Sequence, residues 1–352
     1  ALAVDAAWER RRMPDLSIIM PSHRSLEGAR ASIDSALRYC AARDAVLIVA
    51  DNSGDPAKRL HYADGPGPLV WLDTGDAPIF ANLVLALDAA TTPVVMPMGD
   101  ADAIEVVEGE PPFDLSSLAS DHVGVFPRSL VFSARHGVMQ TKSFAVSAED
   151  ANGRMEQYIA GSKGNNSLYY SMFRRAIYQP LMHAFVAHHP TRGLYSDWAL
   201  LLSLVCYGKM AHDPSTQFRY NMENWDSADK IAETRERHLR EAGLPPEAVR
   251  FEALLMYLDT FVFAMRLASP VPREERPKLG AAITRRLLCS FLAKVAAEPE
   301  GYDETTRHLA AMAGEETDSF TRFQIALLMV DRLQAGLKDR YLAFVRALMA
   351  PA

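Results

Sequence analysis

Residues 93–102 read PVVMPMGDAD, an apolar run that passes into an acidic turn carrying Asp100 and Asp102. The run reads as a strand. Two carboxylates separated by one residue, at the end of such a strand, can converge on a divalent cation and its phosphate ligand. Aspartates are common in turns, so the pair alone is a weak signal. Its position after three earlier strands matters more than the letters.

Those earlier strands are read outward from it. LSIIMP (16–21) is a short apolar run, and residues 29–42 follow with helical spacing through Ile33, Ala36, Leu37 and Cys40. AVLIVAD (45–51) is nearly continuous in apolar residues and is closed by Asn52, Ser53 and Gly54, which suits a parallel strand covered on both faces. PLVWLDT (68–74) is a third strand. PIFANLVLALDAA (78–90) is a helix with Pro78 in its first turn. This βαβαβ order predicts that the ends of strands 1, 2 and 4 lie on one rim. Asp51 ends strand 2 there, where it can cap a turn or accept the N–H of a base. Pro21, Ser22, His23 and Arg24 end strand 1 on the same rim. Backbone groups at that point can hold a nucleotide, and Arg24 can meet either a phosphate or a surface acid.

The whole chain has 352 residues, 49% hydrophobic and 23% charged, which gives about two domains as a prior and ample material for a core. Disorder and fibrous repeats are excluded by these values. Cys40, Cys206 and Cys289 are too few and too widely spaced for a disulfide framework or a metal-ligand pattern, and they suit a reducing compartment. A net charge of −7 argues against a general nucleic-acid surface and leaves room for a local phosphate pocket. Ala1 to Arg12 lacks the apolar core of a signal peptide. The most apolar long stretch, 251–269, contains Glu252, Asp259 and Arg266, and so reads as a buried amphipathic helix rather than a membrane span. The expected location is cytoplasmic, with the inner face of the membrane as a peripheral alternative.

Beyond residue 103 the pattern is less regular. Residues 123–134 and 141–147 read as strands of a mixed sheet, 154–160 as a short helix, 161–167 as a polar loop, and 196–209 as a helix with Ser196 or Asp197 at its start. Residues 210–228 have few periodic signals. From Ala228 onward helical patterns recur at 228–243, 247–268, 273–295, 302–314 and 318–348. The division expected is 1–225 (donor half 16–102, acceptor half 103–225) followed by an all-helical domain at 226–352. That domain buries the back of the first, forms a homo-oligomer surface, or shapes an acceptor pocket.

Taken in order, SIIMPSHR, VLIVADNSGD, PIFANLVLAL and VVMPMGDAD resemble the successive blocks of an inverting, family 2 type glycosyltransferase, over roughly residues 16–225. The resemblance implies the GT-A fold: α/β, with a Rossmann-like mixed sheet of the nucleotide-diphospho-sugar transferase type, here followed by the helical C-terminal domain. It implies a UDP- or GDP-sugar donor whose phosphates are bridged by Mn²⁺ or Mg²⁺. Pro21 and Ser22 match the strand end along the nucleoside, and Asp51 matches the base-contacting acid. Asp100 matches the acid near the ribose or metal, and Asp102 the principal metal ligand. Asn82 stands where it can face the donor. The chain departs from the family in lacking a glycine pair before the fourth strand. It also has Met98-Gly99 before the acidic pair, and Ala103 where many relatives carry another acid.

The same resemblance makes Asp197 the base that deprotonates the acceptor hydroxyl, with Ser196 in place of a preceding acid; helix capping is its other reading. Glu149 and Asp150 are a weaker substitute. Lys163, Asn165 and Asn166 can bond sugar hydroxyls, and Arg174 or Arg175 can reach a diphosphate. His212 is a candidate third metal or phosphate ligand, although a lone histidine is more often incidental. Tyr220, Asn221 and Trp225 can line an acceptor groove. The expected partners are a glycan or lipid-linked hydroxyl acceptor, with no nucleic acid, in cell-surface polysaccharide synthesis. A degenerate sugar-nucleotide-binding protein and a sugar nucleotidyltransferase are the alternatives.

Overall fold

A computed structural model describes residues 14–62, 67–191, 194 and 196–350, with the backbone alone for Ser196. The Ala1–Arg12 stretch and the Ser196 side chain, both weighed above, lie outside the described residues.

The donor half alternates as its sequence predicts. Strand β1 (Leu16–Ser22) leads to helix α1 (Leu26–Arg43), β2 (Val46–Asp51), α2 (Pro56–Tyr62), β3 (Leu69–Asp73), α3 (Ile79–Ala89) and β4 (Val94–Pro97). β1 pairs in parallel with both β2 and β4, and β2 with β3, so Asp73, Asp51, Ser22 and Pro97 end on one rim. Nearly every β1 and β2 side chain is buried because helices cover both faces of the sheet.

The sheet then continues with β5 (Ala103–Val106), β6 (His122–Ser133), β7 (Gly137–Lys142), β8 (Met172–Arg174) and β9 (Lys209–Asn221). Its order is β3-β2-β1-β4-β8-β6-β9-β5, with β7 on the outside of β6. β8 runs antiparallel to β4 and β6, whereas β9 runs parallel to β6. This is a GT-A-like mixed α/β fold, with parallel strands 3-2-1-4 meeting an antiparallel strand. β9 corrects the aperiodic reading of residues 210–228. Against β6 its register breaks between Asp213 and Gln217, opposite Pro127 and Arg128, and this irregularity interrupts the alternation of its exposure.

Helices α4 (Ala151–Ser162), α5 (Arg175–His188) and α6 (Ser196–Tyr207) cover one face of this half. The C-terminal part is helical: α7 (Ala228–Glu241), α8 (Glu252–Met265), α9 (Arg276–Ile283), α10 (Cys289–Ala297), α11 (Glu304–Glu315), α12 (Ser319–Leu333) and α13 (Leu337–Met349). The pattern over 318–348 is two helices rather than one, because Gly336 turns the chain at φ 84°. The C-terminal helices share a continuous apolar core with α3 to α6. Polar ties cross the junction: Tyr207 donates to Phe263 O at 2.8 Å, and buried Asp259 lies 2.9 Å from His189 Nε2 while accepting from Tyr341. No described helix is long and apolar enough to cross a membrane.

Candidate active site

The rim residues are tied to one another before any ligand is considered. Asp100 Oδ2 accepts from Ser22 Oγ at 3.0 Å, His23 N at 2.9 Å and Arg24 N at 3.0 Å. Two consecutive amides aimed at one oxygen fix the turn after β1, and the Arg24 Nε lies 3.5 Å from the other oxygen. Asp51 is held by Lys58, a fully buried lysine on α2. Its ammonium donates to Asp51 Oδ1 at 2.6 Å, Ser22 Oγ at 2.6 Å and Arg24 O at 2.9 Å, which uses all three of its protons. One ammonium thereby links the ends of β1 and β2. Sequence reading passed over Lys58. No local pattern around it marks it as buried, because its acceptors come from the ends of two strands.

Asp102 sits deeper and is 5% exposed. Its Oδ1 accepts from Asn221 N at 2.8 Å, at the end of β9. Its Oδ2 lies where a Cβ on residue 99 would come within 2.7 Å, so Gly99, noted above as a departure, is what leaves room for this carboxylate. Burial pushes the Asp102 carboxyl up to about 7; the Asn221 and Gly99 amides oppose that shift, and the Asp100 charge adds to it. A buried carboxylate held only by the Asn221 and Gly99 backbone amides suits a hard divalent cation whose remaining ligands are phosphate and water. Three or more His, Cys, Asp or Glu side chains do not gather at one point anywhere among the described residues. A cation here therefore depends on its substrate for most of its ligands.

Asp197 lies in the first turn of α6, where the helix dipole favours a negative charge. The other end of α6 is capped by buried Arg154, which donates to Val205 O at 2.7 Å and Cys206 O at 2.8 Å. Asp197 is half-buried and its carboxyl is raised by burial; the neighbouring Asn166 amide and His238 of α7 oppose that shift. Asn166 is itself held by the buried Tyr158 hydroxyl. Tyr170 and Tyr220, whose rings are 5.4 Å apart, both feel the charges of Asp102 and of Asp197. Tyr170 also stacks on Phe218 with centroids 5.2 Å apart, which fixes this aromatic wall to β9.

Several expected residues are placed elsewhere. Asn82 is at the rim but buried, donating to Ala50 O at 2.8 Å with its Oδ1 2.5 Å from Thr74 Oγ1; it pins α3 to the sheet. Arg175 is at the opposite end of β4. Its Nε donates to Thr92 O at 2.8 Å, and Arg174 beside it donates to His122 O and Leu118 O. Neither arginine reaches the rim, because the Arg174–Val94 pairing sets them at the start of β4 rather than at its end. His212 pairs with Phe126, whereas Asn221 pairs with Phe132. Six strand residues separate those levels, about 20 Å. Both His212 nitrogens are engaged, with Phe126 O at 3.0 Å and Ser143 Oγ at 2.6 Å. His212 is thus not brought to Asp102. Lys163 caps α4 with positive φ, and Asn165 bonds Gln140 of β7. Glu149 pairs with Lys209 at the low end of β9, and Asp150 caps α4. Trp225 packs near the His238 ring on α7.

A second buried lysine also escaped the sequence reading. Lys142, at the end of β7, donates to Asn165 O at 3.0 Å, to Asn165 Oδ1 and to Ser167 Oγ at 3.0 Å. It thereby clamps the residues on either side of Asn166. Burial pushes its ammonium down to about 7.

No protein-family model matches this chain. No curated protein matches it either. Among solved structures, S. aureus TarS 1–349 aligns with a TM-score of 0.41 at 14% identity, covering 90% of each chain. The same fragment in complex with UDP aligns at 0.41 and 13% identity, again over 90% of each. A longer TarS structure aligns at 0.38 and 12% identity, over 90% of this chain and 55% of that one. Likeness at this level decides neither activity nor ligand, which have to be read from the site itself.

Proposed function

We propose that this protein is a metal-dependent inverting glycosyltransferase that moves a sugar from a UDP- or GDP-sugar to a hydroxyl of a glycan or glycolipid, in the making of a cell-surface polysaccharide. The observation that carries this reading is the placement of Asp51, Asp100 and Asp102 on one rim, with the charges of Asp102 and Asp197 both reaching Tyr170 and Tyr220. Ligands of open α/β sheets bind outside the carboxyl ends of the strands, which is where these residues stand.

Asp51 meets the base, and the amides of His23 and Arg24 are ordered by Asp100 beside it. Asp102 Oδ2 would hold Mn²⁺ or Mg²⁺, with Asp100 as a neighbouring charge whose oxygens are largely taken by the β1 turn. Such a cation offsets the negative charge that develops on a departing nucleoside diphosphate. Asp197 takes the proton of the acceptor hydroxyl. Its raised carboxyl makes it a stronger base than an exposed aspartate, as that step requires. A single displacement by the acceptor oxygen on the face opposite the leaving group inverts the anomeric carbon. The charge of His238 on α7 reaches Asp197, so the residues after Ala228 can shape the acceptor pocket.

The test is a nucleotide-sugar panel with Mn²⁺, in which released nucleoside diphosphate is measured. Asp102→Ala is expected to abolish metal-dependent donor use. Asp197→Asn is expected to keep donor binding and lose at least about 100-fold in transfer. Unchanged transfer by Asp197→Asn removes it as the base, and no turnover of any nucleotide sugar by the unaltered protein removes the reading.

A further inference from the structure

The Asp197 carboxylate has a neutral neighbour whose place is fixed from several sides. Asn166 is 8% exposed and starts the turn Ser167–Tyr169, against which α6 packs. Lys142 holds the chain on either side of it by donating to Asn165 O and Ser167 Oγ, both at 3.0 Å. Asn166 O accepts from Tyr169 N at 2.9 Å. Its side-chain oxygen is taken by the hydroxyl of Tyr158, a fully buried residue of α4. The Tyr158 ring lies 6.3 Å from that of Trp198, the residue after Asp197. The Tyr158 bond decides which way the amide faces. Nδ2 is turned to the other side, where it is buried and makes no full hydrogen bond among the described residues. Burial raises the Asp197 carboxyl, and the Asn166 amide is the largest influence opposing that rise.

A buried amide nitrogen without a full bond costs stability unless it serves the group it faces. The reverse orientation would set Oδ1 against the carboxylate, which brings two acceptors together. A carboxylate base needs one oxygen open to the acceptor's proton, and it has to stay charged in a buried setting. An N–H at its other oxygen meets both needs. The ionisable groups nearby do not replace it. His238 of α7 and Glu252 of α8 share the field of Asp197, but burial lowers the imidazole and raises the glutamate carboxyl, which moves both toward their neutral forms. The hydroxyls of Tyr158, Tyr169, Tyr170 and Tyr220 are raised by burial and stay protonated. We infer that Asn166, oriented by Tyr158, is a positioning residue that fixes the Asp197 carboxylate and keeps it in the charged form that takes the proton. It acts on the acceptor only through Asp197. The inference rests on the glycosyltransferase reading above and adds to it how the base is held.

The experiment is a carbon-13 NMR titration of the full chain labelled at its aspartate carboxyls, with the Asp197 signal identified by its loss in Asp197→Asn. In Asn166→Leu, which removes the donor and adds no charge, the Asp197 midpoint is expected to rise by at least about one pH unit. Tyr158→Phe, which frees the amide to turn, is expected to move it in the same direction. Loosening of the fold alone would let water reach Asp197 and move the midpoint down. An unchanged or lower midpoint in Asn166→Leu overturns the inference and leaves the glycosyltransferase reading intact. A rise in Asn166→Leu with none in Tyr158→Phe overturns the orienting part assigned to Tyr158. If Asn166→Leu does not fold, Tyr158→Phe decides. The second readout is the pH profile of kcat/KM for nucleoside diphosphate released from UDP-glucose, UDP-N-acetylglucosamine and GDP-mannose with Mn²⁺. Its acid limb is expected to rise with the NMR midpoint in each variant. A limb that stays in place while the midpoint rises removes Asp197 as the base, and Asn166 as its positioning residue with it.

Discussion

Gly99→Ala is the substitution whose consequence follows most directly from the geometry. A Cβ at this position would lie 2.7 Å from Asp102 Oδ2 and 3.6 Å from its Cγ. Ordinary non-bonded contact begins at about 3.5 Å, so the carboxylate has to move by roughly 0.8 Å. Asp102 is short, buried and tethered through Oδ1 to Asn221 N at 2.8 Å, so rotation breaks that bond. An amide left without a partner at a buried site costs about 1–3 kcal/mol, and shifting the backbone instead costs a similar amount. Replacing glycine restricts the unfolded chain and returns about 0.4–1 kcal/mol. The net expectation is a loss of about 1–2 kcal/mol in urea denaturation. A loss of at least tenfold in Mn²⁺-dependent UDP affinity accompanies it, because the oxygen displaced is the one proposed to hold the cation. An unchanged urea midpoint together with unchanged UDP affinity would show that Asp102 does not depend on the space at Gly99, and would refute the argument.

Three other outcomes are expected. Lys58→Met strands a buried carboxylate and is predicted to lose about 3–5 kcal/mol, most of it recovered when Asp51→Asn is added; additive losses in a denaturation cycle would contradict the pairing. Lys142 has an ammonium lowered by burial to about 7, so between about pH 7 and pH 10 the unfolded chain holds more protons at this residue than the native one. Stability from this group accordingly rises with pH across that window. Lys142→Met is expected to flatten the slope, and an identical slope in urea titrations of both proteins would remove the shift. Arg175→Ala, which loses its bond to Thr92 O, is expected to lower stability by about 1 kcal/mol and leave UDP affinity unchanged; a tenfold loss of affinity would mean that Arg175 does reach the donor.

The rim was legible in the sequence because each strand of the donor half is a short apolar run closed by turn residues, and parallel strands joined by helices have to end on the same side. Asp51, Asp100 and Asp102 could therefore be grouped from spacing alone. Arg175 and His212 were misplaced for a related reason. Their residue types suit phosphate and metal, but which end of a strand they occupy depends on strand direction and register. Those are set by non-local pairing of β8 with β4 and of β9 with β6. β9 itself carries no clean alternation, because its register against β6 breaks between Asp213 and Gln217.

The sequence by itself determined the βαβαβ order, the acidic rim, the helical C-terminal part and the presence of a carboxylate at the start of α6. All of these follow from local periodicity and from residues that end strands or start helices. Only the tertiary structure decided that Lys58 occupies one oxygen of Asp51, that Gly99 makes room for Asp102, and that Asn221 at the end of β9 holds that carboxylate. These are contacts between segments far apart in the chain, or between side chains whose directions follow from burial. A buried lysine with three fixed acceptors cannot be told from an exposed one by its neighbours in sequence, because the energy that holds it in place comes from groups that only folding brings together.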